Sequence, residues 1–206
     1  MEQSEVRKVY LVRHGAVSLP GNEKCYLGQT DVPLSEKGRE QALWLKNFFQ
    51  KKLEEEDIHC VYHSPLSRCR MTAEAIAGDR LPLFSVSGLK EVNMGSWEMI
   101  PQKHVKEFHP ILYELRGDNI DTFCPPHGES FKSCQKRATR AFYEIAEKQN
   151  CCIIVAHAGV NRTILSDILK EPLKDLLKIP QGYASVQELY ESDGQWSVGE
   201  YRTCDL

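Results

Sequence analysis

The sequence predicts an α/β layer fold with an open, mostly parallel sheet flanked by helices, and three observations carry that expectation. Short apolar runs alternate with longer segments of helical periodicity. Their order is strand, long loop, helix, strand, helix, strand, long irregular region, helix, strand, helix and two final strands. Two of the runs stop at a histidine followed by small residues: Val9-Tyr10-Leu11-Val12 leads into Arg13-His14-Gly15, and Cys151 to Ala156 leads into His157-Ala158-Gly159. A third run, Ile58 to Tyr62, leads into Ser64-Pro65-Leu66-Ser67-Arg68. In an open parallel sheet the ligand crevice lies beyond the carboxyl ends of the strands, so residues far apart in sequence meet there. Two histidines and two arginines converging on one edge point to a phosphate site.

The elements follow in order. The first helix starts with Ser35 as N-cap, has Gly38 and Arg39 in its first turns and runs to about Glu56, with Ala42, Leu45, Phe49 and Leu53 at helical spacing. Leu66 to Ala77 reads as a second helix, whose free backbone N–H groups and Arg68 face the strand edge. Between Trp97 and His127 the chain changes character. It carries prolines at 101, 110, 125 and 126, aromatics at 108, 113 and 123, and one short amphipathic helix near Gln102 to Arg116. A loop longer than about 12 residues is usually functional or disordered, and this one is too aromatic for disorder, so residues 97–128 read as a small helical lid. Glu129 to Lys148 is a third helix with Phe131, Cys134, Ala138, Phe142 and Ile145 as its buried stripe. Val160 to Leu169 is a fourth, which presents its N-terminus to whatever His157 touches. Tyr183 to Glu191, a Ser192-Asp193-Gly194 turn and Gln195 to Tyr201 form a hairpin.

At 206 residues the chain is expected to form one domain, residues 1–206, with the lid inserted in it. A 41% hydrophobic and 27% charged composition is that of a soluble globular protein, and a formal net charge of -3 leaves no basic patch for nucleic acid. Met1 to Lys8 lacks the apolar core of a signal peptide and no stretch approaches about 20 apolar residues. The expectation is a cytoplasmic protein without a nucleic-acid or membrane partner, with monomer and homodimer both open. The eight cysteines, at 25, 60, 69, 124, 134, 151, 152 and 204, contain no C-x-x-C pair. That scatter favours reduced, mostly buried thiols over disulfides or structural zinc. His59 and His63 are four apart but fall in or beside a strand, so they need not share a face, and no metal site is expected.

Taken together, Leu11-Val12-Arg13-His14-Gly15, the Gly28 to Gly38 segment, Ser64-Pro65-Leu66-Ser67-Arg68 and His157-Ala158-Gly159-Val160 resemble the histidine phosphatase superfamily, also called phosphoglycerate mutase-like. Leu89-Lys90-Glu91 followed by Gly95-Ser96-Trp97-Glu98 is similar to the segment that carries the acid in the phosphatase branch, and Gly128-Glu129-Ser130 opens the helix after the lid. The match spans about residues 9 to 165. Within the family, the compact length and Tyr26-Leu27-Gly28-Gln29-Thr30-Asp31 look most like α-ribazole phosphatases.

The resemblance implies a three-layer phosphoglycerate mutase-like fold and a set of roles. His14 would be the nucleophile that forms a phosphohistidine, since a neutral imidazole nitrogen can attack phosphorus near pH 7. Arg13 and Arg68 would clamp the phosphoryl oxygens with their planar forks, with Gly28 also binding substrate. His157, with the backbone N–H of Ala158, would stabilise charge on the transferring group. Glu91 would protonate the leaving oxygen and then activate water, with Glu98 as the competing acid. No cofactor or metal is called for, because arginines and histidines supply the positive charge that Mg²⁺ supplies elsewhere.

Three departures stand out. Ala16-Val17-Ser18-Leu19-Pro20-Gly21-Asn22 replaces the family's glutamate and phosphate-binding asparagine, with Asn22 as a possible substitute. Ala158 stands for the usual glycine after the second histidine, and Met99 for the glycine common after Trp-Glu. The leading expectation is a metal-independent phosphomonoesterase for a small phosphorylated metabolite. A phosphoglycerate mutase is the alternative, disfavoured by Lys90-Glu91-Val92-Asn93-Met94 in place of an arginine- and tyrosine-rich stretch. A catalytically silent phospho-ligand-binding module is the alternative of another class, opposed by the intact pair His14 and His157.

Overall fold

The computed structural model describes residues 6–19, 21 and 23–204. Six strands, β1 (Arg7–Arg13), β2 (Val61–His63), β3 (Leu83–Ser85), β4 (Cys151–Ala156), β5 (Val186–Ser192) and β6 (Gln195–Arg202), form one sheet in the order β3-β2-β4-β1-β5-β6. The first four in that order run parallel, while β5 is antiparallel to both β1 and β6. The register pairs Arg13 with Ala156 and His63 with Val155. His14, Ser64 and His157 therefore each follow directly on a strand that ends at one edge of the sheet.

Helices α1 (Glu36–Glu55), α2 (Ser67–Ala77), α3 (Gln102–Phe108), α4 (Pro110–Asp118), α5 (Phe131–Ala146) and α6 (Ala158–Ile168) complete the fold. Because strand side chains alternate between faces, the central strands are apolar on both. Val9, Leu11, Cys152 and Ile154 share a core with Ala138 and Phe142 of α5 and Val160 and Ile164 of α6. Tyr10, Val12, Ile153 and Val155 share the other with Leu45 and Phe49 of α1 and Cys69 and Ala73 of α2. Helices thus cover both faces and give the three layers.

Several boundaries follow local chemistry. Ser35 accepts the Gly38 N–H at 3.1 Å and caps α1, and Ser130 does the same for α5 by accepting from Ser133 at 3.2 Å. The single helix expected over 102–116 is two, α3 and α4, broken at His109 (φ -134°, ψ 51°). Pro110 is the cause: its ring disfavours α-conformation in the residue before it, and it then sits in the first turn of α4, where its missing N–H costs nothing. Helix α6 begins at Ala158 rather than Val160, directly after His157. The last hairpin pairs from Val186 rather than Tyr183 and turns on Asp193 and Gly194, both at positive φ.

The lid is anchored by a run of rings. Tyr26 lies 5.1 Å from Trp97, which lies 5.3 Å from Phe123. Tyr113 also packs against the core, whereas Phe108 is exposed. Among the described residues no helix is long and apolar enough to cross a membrane.

Candidate active site

The site gathers at the carboxyl edge of the sheet, where His14, Ser64 and His157 follow their strands. The His14 side chain is buried, and its Nδ1 lies 2.7 Å from the Gly15 carbonyl oxygen. A carbonyl only accepts, so Nδ1 carries the hydrogen and Nε2 keeps its lone pair. Gly15 is required by space, since a side chain there would run into the backbone of Gly38 at the start of α1. Burial first, and then the guanidiniums of Arg13 and Arg68, push the His14 pKa well below the usual imidazole value. The site therefore holds a neutral imidazole.

His157 is fully buried, with its ring centroid 5.1 Å from that of His14. The Arg68 Nε–H donates to His157 Nδ1 at 3.3 Å, which places the His157 hydrogen on Nε2, and Nε2 lies 2.8 Å from Ser64 Oγ. Burial, followed by His14 and the nearby arginines, lowers its pKa well below the usual value as well. Arg68 is itself fixed: Nη1 donates to the Thr30 carbonyl at 2.9 Å and Nη2 to the Gly28 carbonyl at 2.6 Å. Arg13 donates from Nη1 to the Gln181 carbonyl at 2.6 Å, and its buried Nε has no hydrogen-bond partner among the described residues. Among the described residues no carboxylate pairs with either arginine.

Glu91 lies at the start of α6. Its Oε2 accepts the Gly159 N–H at 3.1 Å and its Oε1 accepts those of Val92 at 2.9 Å and Val160 at 3.3 Å. A Cβ on residue 159 would come within 2.5 Å of the carboxylate, so glycine there is what lets Glu91 reach the helix end. The backbone around Glu91 is tethered by Arg137, which donates to the carbonyls of Gly88, Lys90 and Glu91. Glu98, the competing acid, is committed elsewhere. It accepts from the N–H groups of Gly28, Gln29, Thr30 and Met94 and from Thr30 Oγ1, at 2.7–3.2 Å. Burial opposes its charge, but those donors prevail and hold its pKa below the usual value. Met99, where the family favours glycine, adopts the left-handed φ of 61° and donates its N–H to the Tyr26 carbonyl at 2.8 Å.

A cavity of about 260 Å³ opens over these groups, lined by Arg13, His14, Arg68, Glu91, Ala158 and Gly159, with Tyr26, Leu27, Met94 and Phe131 as its apolar wall. His157 is set behind His14 rather than in the wall, and Gly28 reaches the site through Arg68. Asn22 lies outside the described residues. The lining residues that were not anticipated include Arg116 of the lid, Arg162 of α6 and Tyr183. Burial lowers the pKa of both arginines; Arg116 sits 5.1 Å over the Tyr26 ring, and Arg162 donates to the Ile179 carbonyl at 2.9 Å. Arg162 had a signal, four residues after Ala158 on the same helix face. Among the described residues no group of three or more His, Cys, Asp or Glu is placed to hold a metal ion.

The family model of the histidine phosphatase superfamily (branch 1) matches residues 9–203. The chain belongs to the histidine phosphatase superfamily. The 6-phosphofructo-2-kinase/fructose-2,6-bisphosphatase of Arabidopsis thaliana is 27% identical to it over 192 residues, 88% of this chain and 25% of that protein. This chain spans about a quarter to two-fifths of the curated relatives it matches. The α-ribazole phosphatase from Shigella flexneri superposes with a TM-score of 0.83 at 23% identity, over 93% of this chain and 94% of that one. YhfR of Bacillus stearothermophilus superposes with a TM-score of 0.81 at 29% identity, over 93% and 95%. The phosphoglycerate mutase-like superfamily fold thus extends through the lid and the final hairpin, beyond the segments that carry the sequence resemblance.

Proposed function

We propose that the protein is a metal-independent phosphomonoesterase that hydrolyses a small phosphorylated metabolite through a phosphohistidine on His14. The observation that carries this reading is the neutral His14 ring, in a cavity shared with Arg13 and Arg68; among the described residues its Nε2 lone pair is free and neither guanidinium has a carboxylate partner. A dianionic phosphoryl group supplies the charge that such a site lacks. The unpartnered Arg13 Nε–H fits a phosphoryl oxygen as its acceptor.

In the first step His14 Nε2 forms a bond to phosphorus as the ester P–O bond breaks, and the leaving oxygen takes a proton from the Glu91 carboxyl. In the second, water attacks phosphorus, the P–N bond breaks, and Glu91 takes the water's proton. Arg13 and Arg68 hold the equatorial oxygens together with the Ala158 N–H at the start of α6, while His157, neutral and packed against His14, accepts the Arg68 Nε–H and so helps to position both groups from behind. The likeness to α-ribazole phosphatase structures supports α-ribazole 5′-phosphate as a candidate substrate. The cytoplasm, a reducing compartment, suits eight free thiols.

The test is phosphate release by purified protein with EDTA present, over a panel of α-ribazole 5′-phosphate, sugar phosphates, nucleotides, phosphoglycerates and p-nitrophenyl phosphate. Release that His14→Ala abolishes supports the reading. Silence over the whole panel, or release that survives His14→Ala, overturns it.

A further inference from the structure

We propose that Tyr183 is a positioning residue for Arg13, holding the guanidinium over the face of its ring so that the charge is fixed in place without being neutralised. The inference rests on the phosphatase reading and adds to it a residue from a segment that no motif marks.

Arg13 is partly buried at the end of β1, with its Nε shut off from solvent, yet no carboxylate pairs with it among the described residues. Its guanidinium carbon lies 3.8 Å from the centroid of the Tyr183 ring, its Nη1 donates to the Gln181 carbonyl at 2.6 Å, and its Nε has no hydrogen-bond partner among the described residues. The same ring lies 5.8 Å from that of His14. Residues 181–185 are pinned to the site at both ends. Asn161 Nδ2 donates to Gln181 Oε1 at 2.9 Å, the Ala184 N–H donates to the His14 carbonyl at 3.1 Å, and the Arg13 N–H donates to the Ser185 carbonyl at 3.0 Å. Ala184 takes a φ of 52°, a left-handed conformation that non-glycine residues rarely adopt, and it lies between the ring and the start of β5.

The chemistry explains why a ring stands where an acid would be expected. A buried cation is usually paired with a carboxylate, but an Asp or Glu beside Arg13 would cancel its charge and repel a phosphate dianion. An aromatic face attracts the guanidinium through its quadrupole and carries no net charge. Arg13 is thus oriented by Tyr183 and the Gln181 carbonyl, with Nε–H left over for an incoming oxygen.

The experiment measures kcat and KM for p-nitrophenyl phosphate, and inhibition by vanadate and inorganic phosphate, in Tyr183→Phe and Tyr183→Leu. Tyr183→Phe keeps the face and is expected to stay within about 3-fold of wild type, while Tyr183→Leu weakens oxyanion inhibition and raises KM by about 3- to 30-fold. A second comparison, in an Arg13→Gln background, makes the mechanism specific: there Tyr183→Leu should add little, because its effect runs through Arg13. Should Tyr183→Leu fail to fold, Tyr183→Gln serves in its place. Equal impairment by Phe and Leu, an unimpaired Leu variant, or losses that add fully in the double mutant would each overturn the proposal. A wild-type protein that releases no phosphate would instead overturn the phosphatase reading on which it rests.

Discussion

Two enclosed neutral histidines make the stability of this protein depend on pH in a window set by imidazole. His14 and His157 are both buried, and in the native state burial and neighbouring positive charge keep their pKa values well below the usual imidazole value. In the unfolded chain each titrates near 6.5. Below that pH the unfolded state therefore binds protons that the native state refuses, and stability falls as pH falls. Between pH 7.5 and 5.0 a histidine held wholly neutral in the native state costs at most about 2 kcal/mol, so the pair costs at most about 4 kcal/mol. That is a large share of the roughly 5–15 kcal/mol by which native proteins are stable. Urea unfolding followed by tryptophan fluorescence at the two pH values measures it, with His14→Asn as the comparison. The variant, which keeps a polar side chain without an imidazole, should lose less stability than wild type over the same interval, by up to about 2 kcal/mol. An identical acid loss in the two proteins would show that His14 carries no depressed pKa and would refute the reasoning.

Glu91→Gln should slow turnover of alkyl phosphates far more than that of p-nitrophenyl phosphate, whose leaving group hardly needs a proton; equal loss on both would remove Glu91 as the acid. Glu98→Ala removes the acceptor of five hydrogen bonds, four of them from the segment that presents the Gly28 and Thr30 carbonyls to Arg68 and one from the Met94 N–H. It should lower unfolding stability by about 2 kcal/mol and raise KM, and a stable variant with wild-type KM would count against that anchoring. Arg116→Ala, at the cavity wall, should alter the order of preference across a substrate panel, whereas Phe108→Ala on the exposed side of α3 should leave it unchanged; the reverse pattern would contradict the lid geometry.

Legibility from sequence tracked how local the cause was. Ser35 capping α1, the stripe of α5 and the Asp193-Gly194 turn depend on neighbours within a few residues, and each is where the pattern places it. The strands ending at His14 and His157 were readable because apolar runs stop abruptly at them. The break between α3 and α4 was written in Pro110, whose effect on the residue before it a periodicity reading overrode. Tyr183 was hidden for a different reason. It reads as the first residue of a strand, but β5 pairs with β1 only from Val186, and that antiparallel pairing across more than 170 residues is what brings the preceding segment to Arg13. The binding of Glu98 to the 28–30 backbone is equally non-local, so nothing near it in sequence separates an anchoring glutamate from an acid poised over a cavity.

The most direct test of the central claim is a rapid acid-free quench of the protein during turnover of p-nitrophenyl phosphate, followed by mass spectrometry of its peptides. The account predicts an acid-labile phosphoryl group on His14, absent in His14→Ala, that forms and decays at rates matching phosphate release. A wild-type protein that turns over substrate while His14 never carries a phosphoryl group, or that carries it on another residue, would contradict it.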